Sequence, residues 1–345
     1  MKDEGGGAGR ARGVTRRAFA AGVPLIAASL CAPSIEALRV KPRSRVIIDN
    51  DFSADPDGLF QLAHHLAAPS TIVPLVIGSH THPNDFLDRS ATQADNAVRC
   101  VHDIADLMRL DRIPAIIAGR NQLPMALMSP GPSAAARRIV AEAMRTDTDL
   151  PLFYAAGAGL TELAAALRLE PRVAGRMKLV WIGGPEHPEA RPGVSARTDG
   201  EYNLTIDLHA VQTVFNESAL EIWQVPRDAY RTMLISHAEL EAGLKPAGRL
   251  GEYLLAQLDR AIDVAGGLGE TYILGDSPLV TLTALQSSFD ADSSSSDYVV
   301  QPTPSITNQG WYGAPSDGRP MRVYRTIDAR LTFADMFARL AANAR

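Results

Sequence analysis

Val46-Ile47-Ile48-Asp49-Asn50-Asp51-Phe52-Ser53-Ala54-Asp55-Pro56-Asp57-Gly58 runs from a β-branched triplet straight into an acidic turn, with four aspartates between Asp49 and Gly58. The next segment, Leu59-Phe60-Gln61-Leu62-Ala63-His64-His65-Leu66, carries its apolar residues at helical spacing. Like charges this close repel, so a folded chain keeps them only where water or a bound cation offsets the repulsion. A hard cation such as Ca²⁺ takes six to eight oxygens, commonly carboxylates, backbone carbonyls and waters. Asp51 and Asp57 can supply two of them. The turn joins a strand to a helix, where α/β proteins place their sites, and that position favours a cation over an ordinary solvated loop. The ligand spacing and closing Glu of an EF-hand are absent.

The same alternation continues outward. Strand-like runs are "TIVPLVIGSH", "IPAIIAG", "LPLFYAAG", "MKLVWIGG" and "LEIWQVP", and helical stretches such as "ATQADNAVRCVHDIADLM", "LTELAAALRL" and "HAVQTVFN" stand between them. Short apolar strands alternating with helices predict a single α/β, Rossmann-like domain: a mostly parallel central sheet with helices on both faces. Ligands of such sheets bind beyond the carboxyl ends of the strands, here Asp49–Asp57, Ser79–His82, Ala156–Gly159 and Gly183–Pro185. Further along, "GEYLLAQLDRAIDVAG" reads as a helix and "ETYILGDSPLVTLTAL" as an acid-bearing turn into another. Ser287 to Pro320 reads as a long Ser-, Asp-, Pro- and Gly-rich loop holding Trp311-Tyr312, and loops of that length are usually functional or mobile. "MRVYRTIDARLTFADMFARL" closes with a strand and a terminal helix. No repeat or linker divides the body of the chain.

Composition narrows the function. Among 345 residues, 46% are hydrophobic and 21% charged, ordinary for a soluble protein with a large core. A net charge of −5 and a pI near 5.9 give no support for nucleic-acid binding, which shows as a basic surplus. No transmembrane span stands in the body of the chain. The start is different: Thr15-Arg16-Arg17-Ala18-Phe19 precedes an apolar run to about Ala32. We therefore expect residues 1–37 to be a twin-arginine-type export signal and flexible N-terminus, and residues 38–345 to be the functional domain. Processing between Ala32 and Ala37 would leave a periplasmic or secreted protein with no stable membrane span. Cys31 follows Leu30, where a lipoprotein signal has a small residue. Its loss would leave Cys100 alone, without an intrachain disulfide.

With these residues in view, "VIIDNDFSADPDGLFQLA" resembles the amino-terminal signature of the inosine–uridine nucleoside hydrolases, D-x-D-P-G-x-D-D-A after a strand. Three further segments match in order. "AAGAGLTELAAALRLEPRVAGRMKLVWIGG" is similar to the family's A-T-G-P-L-T-N-x-A segment with its later "L-E-P" and "M-G-G", "EYNLTIDLHAV" to its E-F-N-x-x-x-D-x-x-A segment, and "YILGDSPLV" to its H-D-P segment. Together they cover roughly residues 44–340.

The resemblance implies Ca²⁺-dependent hydrolysis of the N-glycosidic bond of a small-molecule nucleoside or riboside. It implies Asp51, Asp57, Asp276 and the Gly157 carbonyl as metal ligands, with Asp51 also the catalytic base for a water on the cation. Asp55, Glu201 and Asn203 fall on ribose-contact positions, and relatives are commonly homo-oligomers. Metal activation of water and carboxylates facing an oxocarbenium-like transition state fit that chemistry. The chain also departs from the pattern. Pro56 splits the paired aspartates, Phe52-Ser53 replaces Pro-Gly, Gly157 replaces Thr, and "GSHTHPND" lacks an obvious counterpart of the family's asparagine. Gly275 stands where the purine-tolerant branch has the histidine that protonates the leaving base. His80 and His82 are candidates for that task, and Trp311 and Tyr312 for stacking on the base. His187 has no feature that favours it, and His64 and His65 read as packing or surface residues. Two competing readings are a metal-dependent ribosyl- or nucleoside-binding protein with little or no turnover, and a haloacid-dehalogenase-type phosphatase. The phosphatase reading leaves "EYN" and residues 154–184 unexplained and lacks an acid after Asp276.

Overall fold

The structure, a computed structural model, describes residues 40–121, 132–267, 269–285 and 296–344. The expected export signal, and Cys31 with it, lies outside the described residues. From Val40 onward the chain forms one compact unit.

Its centre is an eight-stranded sheet in the order β3-β2-β1-β4-β5-β6-β10-β9. The strands are β1 Ser44–Asn50, β2 Thr71–Gly78, β3 Ala115–Ala118, β4 Leu152–Ala156, β5 Met177–Ile182, β6 Glu221–Val225, β9 Asp297–Ile306 and β10 Tyr312–Thr326. β7 (Leu234–Ser236) and β8 (Thr271–Ile273) form a separate antiparallel pair. β1 to β6 and β10 run parallel, and β9 is antiparallel against β10. The mostly parallel sheet expected from the strand–helix alternation is therefore present.

β1 explains why helices cover both faces. All seven of its residues are buried. Val46 and Ile48 join one apolar cluster and Ile47 the other, because successive strand residues point to opposite faces. The helix Asp57–Ala67 covers one face with Leu59, Phe60, Leu62 and Ala63. The helix Thr161–Leu169 covers the other with Leu163, Ala164 and Leu167.

The sheet order reverses direction between β1 and β4, the switch point where doubly wound sheets open a crevice beyond their carboxyl ends. Asp49 pairs with Ala156 and Ile77, so the acidic turn, the segment after Gly78 and Gly157 emerge side by side. The β7–β8 pair adds the last part. Leu274 N donates to Met233 O at 2.9 Å, which returns Gly275-Asp276 to the same edge.

One expectation is overturned. The segment read as a long loop from Ser287 to Pro320 is, in its described part, mostly the β9–β10 hairpin on the sheet edge, and Tyr312 is a strand residue. Pro315 and Pro320 sit at the register shifts of that hairpin, the places where strands tolerate proline. Among the described residues no helix is long and apolar enough to cross a membrane.

Candidate active site

Asp51 leaves β1 on a tight turn in which Ala54 N donates to Asp51 O at 2.8 Å. Its own amide donates to Asn50 Oδ1 at 2.9 Å. Asp57 opens the following helix, where a carboxylate suits the positive end of the helix dipole. Its Oδ2 accepts from Asp276 N at 3.1 Å, across 219 residues. Asp276 in turn accepts from Asn50 Nδ2 at 2.7 Å. Asp55 accepts from Tyr272 OH at 2.8 Å and from Asp57 N at 3.3 Å. The fold thus joins the acidic turn and Asp276 into one cluster.

The electrostatics agree with that proximity. Burial, followed by the Asp276, Asp55 and Asp85 carboxylates, pushes Asp51 well above the usual carboxylate range. Burial, then Asp276, Asp55 and Asp51, does the same to Asp57. Asp276 is pushed up to about 7, chiefly by burial, with the Asn50 hydrogen bond opposing and Asp55 adding. Asp55 moves in the same direction for the same first cause, burial. It is, however, the exposed member of the cluster, where water blunts that push. Asp49 points elsewhere and takes hydrogen bonds from the Ser79 and Tyr154 hydroxyls.

The ribose-contact candidates lie over the ends of β4 and β5. Asn203 Nδ2 donates to Gly157 O at 3.0 Å and to Ile182 O at 2.9 Å. Glu201, buried, caps the short helix Tyr202–Ile206. It accepts from Gly184 N at 2.7 Å, Leu204 N at 2.9 Å and Tyr230 OH at 2.9 Å. Tyr230 then links the two halves of the site. A methyl group built on Gly275 would stand 3.3 Å from Tyr230 Cδ2 and 3.2 Å from Asp57 Oδ2.

The other candidates bond to groups other than the aspartates. His80 Nδ1 donates to Arg120 O at 2.9 Å, and burial lowers its pKa. His82 Nε2 donates to Tyr202 O at 3.0 Å, and its ring meets Tyr202 edge-on at 4.6 Å. Tyr312 stacks on His187 at 4.2 Å and donates to Pro185 O at 3.1 Å, apart from the aspartates but near enough to Glu201 to feel its charge. Trp311 sits in the hairpin turn, its amide on Thr307 Oγ1 at 3.1 Å. His64 and His65 are buried packing residues, bonded to Asp335 and Thr283.

Four participants escaped the sequence reading. Asp85 accepts from Tyr202 OH and adds to the field on Asp51; its signal was an acid just past the second strand. Tyr230, Tyr272 and Asn50 carry no motif of their own, and only the folded chain brings them to the carboxylates.

The donor set suits a hard cation: oxygen atoms only, with two of the carboxylates, Asp51 and Asp276, buried and mutually repelling. Among the described residues no group of three or more His, Cys, Asp or Glu side chains already stands in ligand geometry. Gly157 O is also engaged by Asn203. Holding a cation there would require side chains to turn inward against their mutual repulsion, which the cation's positive charge would offset.

The sequence profile of the inosine-uridine preferring nucleoside hydrolases matches residues 46–328. Over 97 residues the chain is 37% identical to the inosine-uridine preferring nucleoside hydrolase of Leishmania major, a stretch of 26% of this chain and 28% of that one. Over 67 residues it is 43% identical to the Crithidia fasciculata protein of the same description, 19% of each. These alignments span under a third of either relative. The solved inosine-uridine preferring nucleoside hydrolase of Bacillus anthracis superposes with a TM-score of 0.59 over 87% of this chain and 99% of that one, at 18% identity, a likeness of fold. With a profile match across most of its length, the chain belongs to the inosine-uridine preferring nucleoside hydrolase family.

Proposed function

We propose that the protein hydrolyses the N-glycosidic bond of ribonucleosides or related ribosides with Ca²⁺ as cofactor, releasing ribose and a free base. The observation that carries this reading is the approach of Asp276 to Asp57 and Asn50 at the switch point of the sheet, near enough for Asp276 to raise Asp51 as well, in a chain of this family. Asp51, Asp57, Asp276 and, once freed from Asn203, the Gly157 carbonyl would hold the cation. Bound there, it supplies positive charge that orients ribose hydroxyls and makes water more acidic.

The remaining work belongs to the chain. A water oxygen forms a bond to C1′ while the C1′–N bond breaks and its electron pair leaves with the base. Asp51 takes the proton of the attacking water. Burial and its neighbours push Asp51 above the ordinary range, and the cation's charge would oppose that push and keep the carboxylate ionised to accept the proton. Asp55, exposed beside the other aspartates, and Glu201 with Asn203, over the β4–β5 ends, are the groups for the sugar hydroxyls. The departing base nitrogen needs a proton, and position 275 has no side chain to give one.

That last observation favours one second reading, cation-dependent binding of a riboside with little turnover. Export through the twin-arginine start, Arg16-Arg17, is part of the same proposal and suits a protein that folds around its cation before transport. The test is release of free base from inosine, uridine and p-nitrophenyl riboside, with Ca²⁺ and with chelator. Cation-dependent release supports hydrolysis, and binding without release supports the second reading.

A further inference from the structure

Behind the carboxylate cluster a chain of neutral, buried side chains runs into the core. Asn50 Nδ2 donates to Asp276 Oδ2 at 2.7 Å and reaches Gln61 Oε1 at 3.4 Å. Gln61 Nε2 meets His65 Nδ1, and His65 Nε2 meets Thr283 Oγ1 at 2.7 Å. Thr283 Oγ1 ends the chain on Leu279 O at 2.7 Å. Asn50, Gln61 and His65 are at most 1% exposed.

Every proton in this chain has one direction. Thr283 gives its only hydroxyl hydrogen to Leu279 O, so it must accept from His65 Nε2–H. His65 Nδ1 is then the acceptor, and Gln61 must present its amide nitrogen to it. That turns Gln61 Oε1 toward Asn50 Nδ2. Asn50 is fixed from its other side as well, because its Oδ1 accepts from Asp51 N. Burial holds His65 neutral, at a pKa of about 3, so the direction does not change in the physiological range. Gln61 and His65 lie four residues apart on one helix face. The backbone leaves room for the head of the chain: a methyl group on Gly157 would stand 2.4 Å from Asn50 Nδ2.

A chain of polar side chains in a core is costly unless each member is satisfied, and here each one is. Its two outputs are the adjacent Asp51 amide and Asp276 Oδ2, the latter 226 residues from Asn50. We propose that Asn50, backed by Gln61, His65 and Thr283, is a positioning device that sets the Asp276 carboxylate and the Asp51 segment for the cation. It rests on the reading of the cluster as a cation site. None of these four residues touches the substrate; they act through Asp276 and Asp51. Groups that orient a metal's ligands are typically worth about 10–100-fold in metal affinity or activity.

The test is calorimetric titration of Ca²⁺ into the parent, Gln61→Met, His65→Leu and His65→Gln, with melting of each in chelator and in excess Ca²⁺. Glutamine at 65 can accept from Gln61 and donate to Thr283, whereas leucine can do neither. The inference expects Ca²⁺ affinity to fall about 10–100-fold in Gln61→Met and His65→Leu, to return toward the parent in His65→Gln, and the Ca²⁺-induced rise in melting temperature to shrink in step. Should Gln61→Met and His65→Leu melt lower in chelator yet bind Ca²⁺ as tightly as the parent, the chain is only structural and the inference is overturned. If His65→Leu is too unstable to titrate, Gln61→Met against His65→Gln still decides: an affinity loss in the first that the second does not share supports the inference, and equal affinity in the two overturns it. A parent that binds no Ca²⁺ overturns the proposed function itself, and the inference with it.

Discussion

Tyr230 lies against Gly275, its ring edge 3.3 Å from where a side chain at that position would begin, and its hydroxyl on Glu201 at 2.9 Å. The wall of the site beside Asp57 is therefore built from an aromatic ring instead of a side chain at 275. Protonating a departing base is typically worth about 10²–10⁴ in rate. Inosine should accordingly turn over slowly relative to p-nitrophenyl riboside, whose leaving group needs no proton. His80 and His82, held on Arg120 O and Tyr202 O, should change that ratio little when replaced by alanine. Steady-state rates on both substrates check this, and a selective loss of inosine turnover in His80→Ala or His82→Ala would identify the missing acid. Gly275→His, with both contacts tighter than 3.4 Å, should lower the melting temperature unless Tyr230 is also made smaller.

Asp51→Asn should act on stability and turnover in opposite directions. Without cation it removes one of several repelling buried carboxylates, so the variant should melt higher than the parent in chelator. With Ca²⁺ its gain should be smaller than the parent's, because one ligand is weakened and stabilisation follows binding to the folded state. Turnover should drop by roughly 10² or more with the base gone. Paired melting curves and rates measure all three.

Arg227 binds Glu186 through two contacts, 2.6 Å and 2.8 Å, with both side chains at most 5% exposed. It also donates to Asp199 O at 3.3 Å and Gly200 O at 3.5 Å, just ahead of Glu201. Arg227→Met leaves a buried carboxylate unpaired and should cost about 3–5 kcal/mol. Adding Glu186→Leu should recover most of that loss in denaturant unfolding. KM should stay raised in both variants if the arginine also fixes the Glu201 segment.

His187 is held by burial at a pKa of about 4, below its ordinary 6.5, despite the bond to Gln224. A lowered histidine contributes stability above about 6.5 that is lost as pH falls toward 4, here roughly 2 kcal/mol by pH 5. Raised carboxylates act in the opposite sense, but parent and His187→Asn share them. Melting temperatures of the two in excess Ca²⁺ should differ most above pH 7 and converge toward pH 5. A constant gap would show that His187 is not the titrating group.

Much of the fold was legible because its signals are local. β1 announces itself by Val46-Ile47-Ile48 running into an acidic turn, and the helix after it by apolar spacing from Leu59. The β9–β10 hairpin was not legible. Pro302, Pro304, Pro315 and Pro320 read as loop, and β10 is held by pairing of Arg322 and Val323 with Trp223 and Gln224 of β6, a distant partner. At the site, Asp51 and Asp57 stood out by position and Asp276 by resemblance to the family. Asn50, Tyr230 and Asp85 did not, because what they touch is decided by strand order and not by neighbours in sequence.

Cation-dependent hydrolysis is measured most directly by release of free base from a nucleoside panel by the purified protein, in Ca²⁺ and in excess chelator. Ribose and free base should form in equal amounts, abolished by chelator, restored by Ca²⁺ and lost in Asp51→Asn. Release that survives chelation, or that Asp51→Asn leaves unchanged, would contradict it.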